Sequence, residues 1–114
     1  MNVSSIIGRL TKDPELKYTT NKTAVTSITV AVDKYNSATK QREADFIPVV
    51  VWGKQAESLC NFMKKGSQIG VTGNLRSRQY ESNGKTNYVV ELVANEVNFL
   101  GSKAAATNTD EFLD

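Results

Sequence analysis

Apolar and polar positions alternate along most of this chain, and the alternation divides it into strands and one helix. The clearest run is residues 25–35 (VTSITVAVDKY), where Ile28, Val30 and Val32 face one way and Ser27, Thr29, Ala31, Asp33 and Tyr35 the other. Upstream, residues 3–11 (VSSIIGRLT) set Ile6, Gly8 and Leu10 against Ile7, Arg9 and Thr11, and Gly8 marks a bulge or a close backbone approach. Between these two strands KDPELKYTTNKT is polar and turn-rich, with Asp13-Pro14 as a breaker and Asn21 as a second turn signal, and reads as a long connection.

Residues 44–54 (ADFIPVVVWGK) form the third strand, with Ile47, Val49 and Val51 on one face and Phe46, Pro48, Val50 and Trp52 on the other. At a rise of about 3.3 Å per residue, Phe46 and Trp52 stand roughly 20 Å apart, a spacing that suits an extended ligand. Pro48 cannot donate to a ladder, so the strand is bulged there or lacks a partner on its N–H side. Residues 36–43 (NSATKQRE), which lead into this strand, read as a mobile, positively charged loop.

After Gly53 the period changes. Ala56, Leu59, Cys60 and Met63 make the stripe of an amphipathic helix, closed by Lys64 and Lys65 as last-turn cations and by Gly66. Residues 67–80 (SQIGVTGNLRSRQY) return to strand period, with Ile69, Val71 and Leu75 opposite Thr72, Asn74, Arg76, Arg78 and Tyr80. Asn83-Gly84 signals a type I′ hairpin, because both central residues of that turn need positive φ. Residues 88–100 (YVVELVANEVNFL) return as the last strand, broken near Asn95.

Three strands, a helix and a two-stranded hairpin make an all-β element order. It is that of the OB-fold, a five-stranded Greek-key barrel with one α-helix between the third and fourth strands. Residues 1–100 make that domain, and residues 101–114 (GSKAAATNTDEFLD) a short acidic tail expected to have no fixed structure before binding.

Composition narrows the function. With 114 residues, 39% hydrophobic and 23% charged, the chain suits one small domain. The single cysteine, Cys60, excludes an internal disulfide and fits a small core residue, and without histidine no zinc site can be built, so neither metal nor cofactor is expected. No apolar run is long enough for a bilayer and the N-terminus lacks signal-peptide character, so a cytoplasmic protein is expected. All 14 lysines and arginines precede residue 104, whereas three of the 12 acidic residues fall in the last five positions, leaving +5 on the body and −3 on the tail. A basic body with an acidic tail fits a polyanion ligand.

Tyr35, Phe46, Trp52 and Tyr80 fall opposite the most apolar stripes or at strand ends, and Lys54, Lys64, Lys65, Arg76 and Arg78 lie close to them in sequence. Core packing or an oligomer contact is the competing use of each ring, and a solvated strand face that of each arginine. Rings interleaved with cations favour a single strand of nucleic acid, whose bases stack while its phosphates track the charges; a duplex hides its base faces. Asp13 and Glu15, the one pair resembling catalytic carboxylates, flank a proline turn with no histidine, metal site or phosphate loop beside them, so no catalytic residue is expected and a β-barrel nuclease ranks low.

The segments IIGRLTKDPELKYT, ITVAV, ADFIPVVVWGKQAE, KKGSQIGVTGNLRSRQYESNGK and YVVELVANEVNFL resemble, in order and spacing, the bacterial and phage single-stranded DNA-binding proteins, over about residues 1–100. The resemblance implies a homotetramer that wraps single-stranded DNA without catalysis during replication, recombination and repair. It places stacking aromatics at Tyr35, Phe46, Trp52 and Tyr80, and phosphate contacts at Lys17, Lys54, Lys64, Lys65, Arg76 and Arg78. The family's tails end in acidic residues and an apolar tip, usually Pro-Phe, that recruits replication and repair proteins. Here the end is Asp110, Glu111, Phe112, Leu113 and Asp114, without Pro-Phe, and so compact a version suits a phage-encoded or accessory member. The alternative reading is an OB-fold protein-interaction module of a replication-restart or translation-associated complex.

Overall fold

The inward stripes read from the alternation converge on one barrel. The computed structural model describes residues 1–101, with β1 (Ser4–Leu10), β2 (Lys17–Tyr18), β3 (Ala24–Asn36), β4 (Gln41–Trp52), α1 (Lys54–Phe62), β5 (Gln68–Ser82) and β6 (Lys85–Gly101) in chain order. The acidic tail residues Asp110, Glu111, Phe112 and Leu113 lie outside the described residues.

β1 pairs antiparallel with both β3 and β5, β3 with β4, and β5 with β6, while β4 meets β6 in parallel. The sheet therefore closes in the order β1-β3-β4-β6-β5 and back to β1, which is the OB-fold, with α1 between β4 and β5. Ile28, Val30, Val49, Val51, Ile69, Val71 and Leu92 fill its interior, and Ala56, Leu59 and Met63 close one end. Closure occurs at β1, where Arg9 lies opposite Gln68 on one side and Ala31 on the other. Gly8 sits there because a Cβ would stand 2.3 Å from the Ala31 carbonyl oxygen, so it marks the close approach expected of it.

Pro48 is accommodated without a bulge. The β3–β4 register runs through Thr29 opposite Pro48 with no shift, and the pairing to β6 starts only at Val49. At Asn83-Gly84 φ is 54° and 76°, as a type I′ turn requires.

Five sequence expectations are corrected. The connection after β1 contains a sixth, two-residue strand, β2, whose Lys17 and Tyr18 pair with Val25 and Ala24. The expected loop at 36–43 shrinks to a turn at residues 37–40. There the Asn36 carboxamide oxygen accepts the Ala38 and Thr39 N–H groups, and Lys40 takes a φ of 58°, so Gln41 onward is already β4. Lys64 and Lys65 are not last-turn cations: α1 ends at Phe62 and Met63 is extended, because the next turn is bound to β1 through Gly66 N–H to Leu10 O and Leu10 N–H to Ser67 O. Cys60 on the helix is half-buried, not fully inside. The break expected near Asn95 is a bulge within a continuous β6, since Thr72 pairs with Glu96 but Gly73 with Ala94. Gln55 of α1 clasps that bulge, its Nε2 donating to Asn95 O at 3.1 Å and its Oε1 accepting from Val97 N–H at 2.9 Å.

Candidate nucleic-acid interface

Side chains of residues paired across adjacent strands point to the same face of a sheet, so register alone decides which candidates share a surface. Ser27 pairs with Val50, Val50 with Val93, and Val93 with Asn74, a row crossing β3, β4, β6 and β5. Val51 and Leu92, each one residue from this row, are core, so the row faces outward. Steps of two along each strand then place Tyr35 on β3, Phe46 and Trp52 on β4, and Arg76, Arg78 and Tyr80 on β5 on one outer face. The exposures agree: Tyr35 63%, Phe46 64%, Trp52 44% and Tyr80 48%. None of the four rings is core.

That face is not apolar throughout. Val50 lies buried between Phe46 and Trp52, and Pro48 is half-buried. The rings therefore stand as separate platforms above a packed floor.

The cations divide into three groups. Lys17 on β2 pairs with Val25, which pairs with Trp52, so Lys17 stands in the ring's own row. Beyond it a groove of about 300 Å³ runs between Lys12, Asp13, Glu15 and Lys17 on one wall and Val25, Ser27 and Thr29 on the other. Asp13 accepts the Lys65 backbone N–H at 2.7 Å, which brings the Lys64-Lys65 turn to this groove and gives that carboxylate a structural role. Lys54 opens α1, two residues beyond Trp52, where Gly53 at a φ of 72° turns the chain from strand to helix. Arg76 and Arg78 lie on the β5–β6 arm; Arg76 is directly opposite Glu91, and Arg78 Nε donates to Glu91 Oε1 at 2.8 Å.

Arg42 is a residue that sequence reading missed. It pairs with Tyr35 and is exposed on the same outer face. Extending the two-residue period of the third strand backward from Phe46 through Ala44 would have found it. Lys34, by contrast, points to the opposite face, where its ammonium lies 2.9 Å from Asp45. The hydrogen bond it donates to that carboxylate raises the Lys34 pKa above its ordinary value, so the ammonium keeps its charge until pH rises through the raised value.

Comparison with known proteins supplies the family. Residues 1–100 match the model of the single-strand binding protein family. This chain belongs to that family. Among its relatives are the single-stranded DNA-binding protein of Clostridium tetani, 57% identical over 102 residues (88% of this chain, 70% of the relative), and single-stranded DNA-binding protein 2 of Clostridium acetobutylicum, 52% identical over 114 residues (96% and 86%). The single-stranded DNA-binding protein of Oceanobacillus iheyensis is 45% identical over 112 residues (96% and 70%). For a member of the single-strand binding family, the outer face of β3, β4, β6 and β5 is the surface to consider first, because it alone gathers all four candidate rings.

Proposed function

We propose that this chain binds single-stranded DNA with little sequence preference and without catalysis, coating it during replication, recombination and repair. One observation carries the reading: the register row from Ser27 to Asn74 sets four exposed rings from three strands on a single face, with cations between them. Bases stack on Tyr35, Phe46, Trp52 and Tyr80. Phosphates track Lys17, Lys54, Lys64, Lys65, Arg76 and Arg78, with Arg42 beside Tyr35. At about 1 to 3 kcal/mol per stacked base, four rings give roughly 4 to 12 kcal/mol before the cost of ordering the strand. The protein-interaction alternative is not favoured, since the relatives are named for single-stranded DNA binding.

Trp52 is the only tryptophan, so its emission reports the site directly. Titration with oligo-dT at two salt concentrations is expected to quench it, with log K falling against log[salt] by about 0.7 per neutralised phosphate and no more steeply than about 5 for seven contacts. Equal affinity for duplex would reject the reading.

Assembly as a homotetramer and recruitment of replication and repair proteins through Asp110, Glu111, Phe112 and Leu113 complete the proposal, for a protein of the cytoplasm. Self-association is supported by the outer face of β1, β5 and β6, where Ile7 and Leu100 are exposed around a hollow at Gly70. Sedimentation of the intact chain and of one ending after Lys103 is expected to show the same tetramer, with DNA binding kept by both. A monomer at micromolar concentration excludes this assembly.

A further inference from the structure

The β5–β6 arm carries an acid where a phosphate-binding surface has least use for one. Glu91 lies on the same outer face as Arg76, Arg78 and Tyr80, directly across from Arg76 and diagonal to Arg78. Its side chain is 13% exposed, against 60% for Arg78, so the carboxylate is set down among its neighbours while the guanidinium reaches out from it. The 2.8 Å contact uses Arg78 Nε. A phosphate arriving at Arg78 must therefore share the guanidinium with a fixed negative charge or displace it. Among the described residues Lys17, in the Trp52 row, forms no such ion pair.

We propose that Glu91 limits affinity at the single-strand site: its carboxylate holds Arg78 and repels the incoming phosphate, so Arg78 neutralises less phosphate charge than its exposure allows. The inference rests on the single-strand binding reading and adds to it a residue that acts against binding. In a protein that coats a strand and must later leave it, such a carboxylate lowers the charge that holds the strand without removing a ring. Glu91 acts through Arg78, so the test has to read charge as well as affinity.

Oligo-dT binding by the full chain, measured across a salt series, supplies both. Glu91→Gln keeps an acceptor for Arg78 but removes the charge. It is expected to bind about three times more tightly at low salt, as suits an ion pair whose guanidinium is in solvent, and to steepen the salt slope by about 0.7, one more phosphate. Arg78→Gln added to it should abolish both gains. Unchanged or weaker binding by Glu91→Gln, or a gain that survives Arg78→Gln, overturns the proposal. Should Glu91→Gln not fold, Arg78→Gln alone decides it: the slope then changes by well under 0.7, and a full loss of 0.7 refutes sequestration. Wild-type chain that fails to bind oligo-dT would instead overturn the function itself, so the two failures are distinct.

Discussion

Replacing Trp52 with alanine is expected to weaken oligo-dT binding by about 5-fold to about 150-fold, the largest loss from any single ring. Three features concentrate the effect there. Trp52 has the broadest π face of the four rings, its row continues through Val25 to Lys17, and Lys54 follows two residues later. A base stacked on it therefore has cations on two sides for the flanking phosphates. The substitution should leave the fold intact, because 44% of the side chain is already exposed and the core beneath is made by Val51 on the opposite face. The variant has lost its own reporter, so the measurement is anisotropy of a labelled oligonucleotide. Trp52→Phe should keep most of the affinity. An alanine variant as tight as the parent would show that bases do not lie on this face.

Gly8→Ala is expected to cost about 3 kcal/mol of stability and to lower the melting temperature by roughly 12 °C or more. A Cβ at this position would stand 2.3 Å from the Ala31 carbonyl oxygen and 2.7 Å from Val30 Cγ1. The nearest atom is backbone and cannot rotate away, so relief requires β1 and β3 to part, at the seam where the barrel closes. Affinity should fall as well, since β3 carries Tyr35 and forms one wall of the groove beside Trp52. Urea denaturation followed by Trp52 emission checks the stability, and a loss below about 1 kcal/mol would mean that the seam yields freely.

Much of this was legible in the residues. The alternation in VTSITVAV and FIPVVVW names the inward stripes, the positions of Ala56, Leu59 and Met63 name the helix face, and Asn83-Gly84 names the turn. The misses share a physical cause. Where β3–β4 and β5–β6 run on past the core as hairpin arms, water lies on both faces and alternation has nothing to enforce it. NSATKQRE therefore looked like a loop although Gln41 to Glu43 are strand, and Leu75, read as an inward residue, is 45% exposed. Arg42 was lost with that loop.

Local periodicity thus determined the strands, the helix, the tight turn and the face of its own strand on which each ring stands, because those depend on neighbours a few residues away. Only the tertiary structure decided that the faces coincide. The row Ser27, Val50, Val93, Asn74 joins segments up to 66 positions apart, and a slip of one residue anywhere in it would send a ring to the core side. The same pairing sets Glu91 against Arg76 and Arg78, a charge relation between two strands that the pattern of either one leaves open.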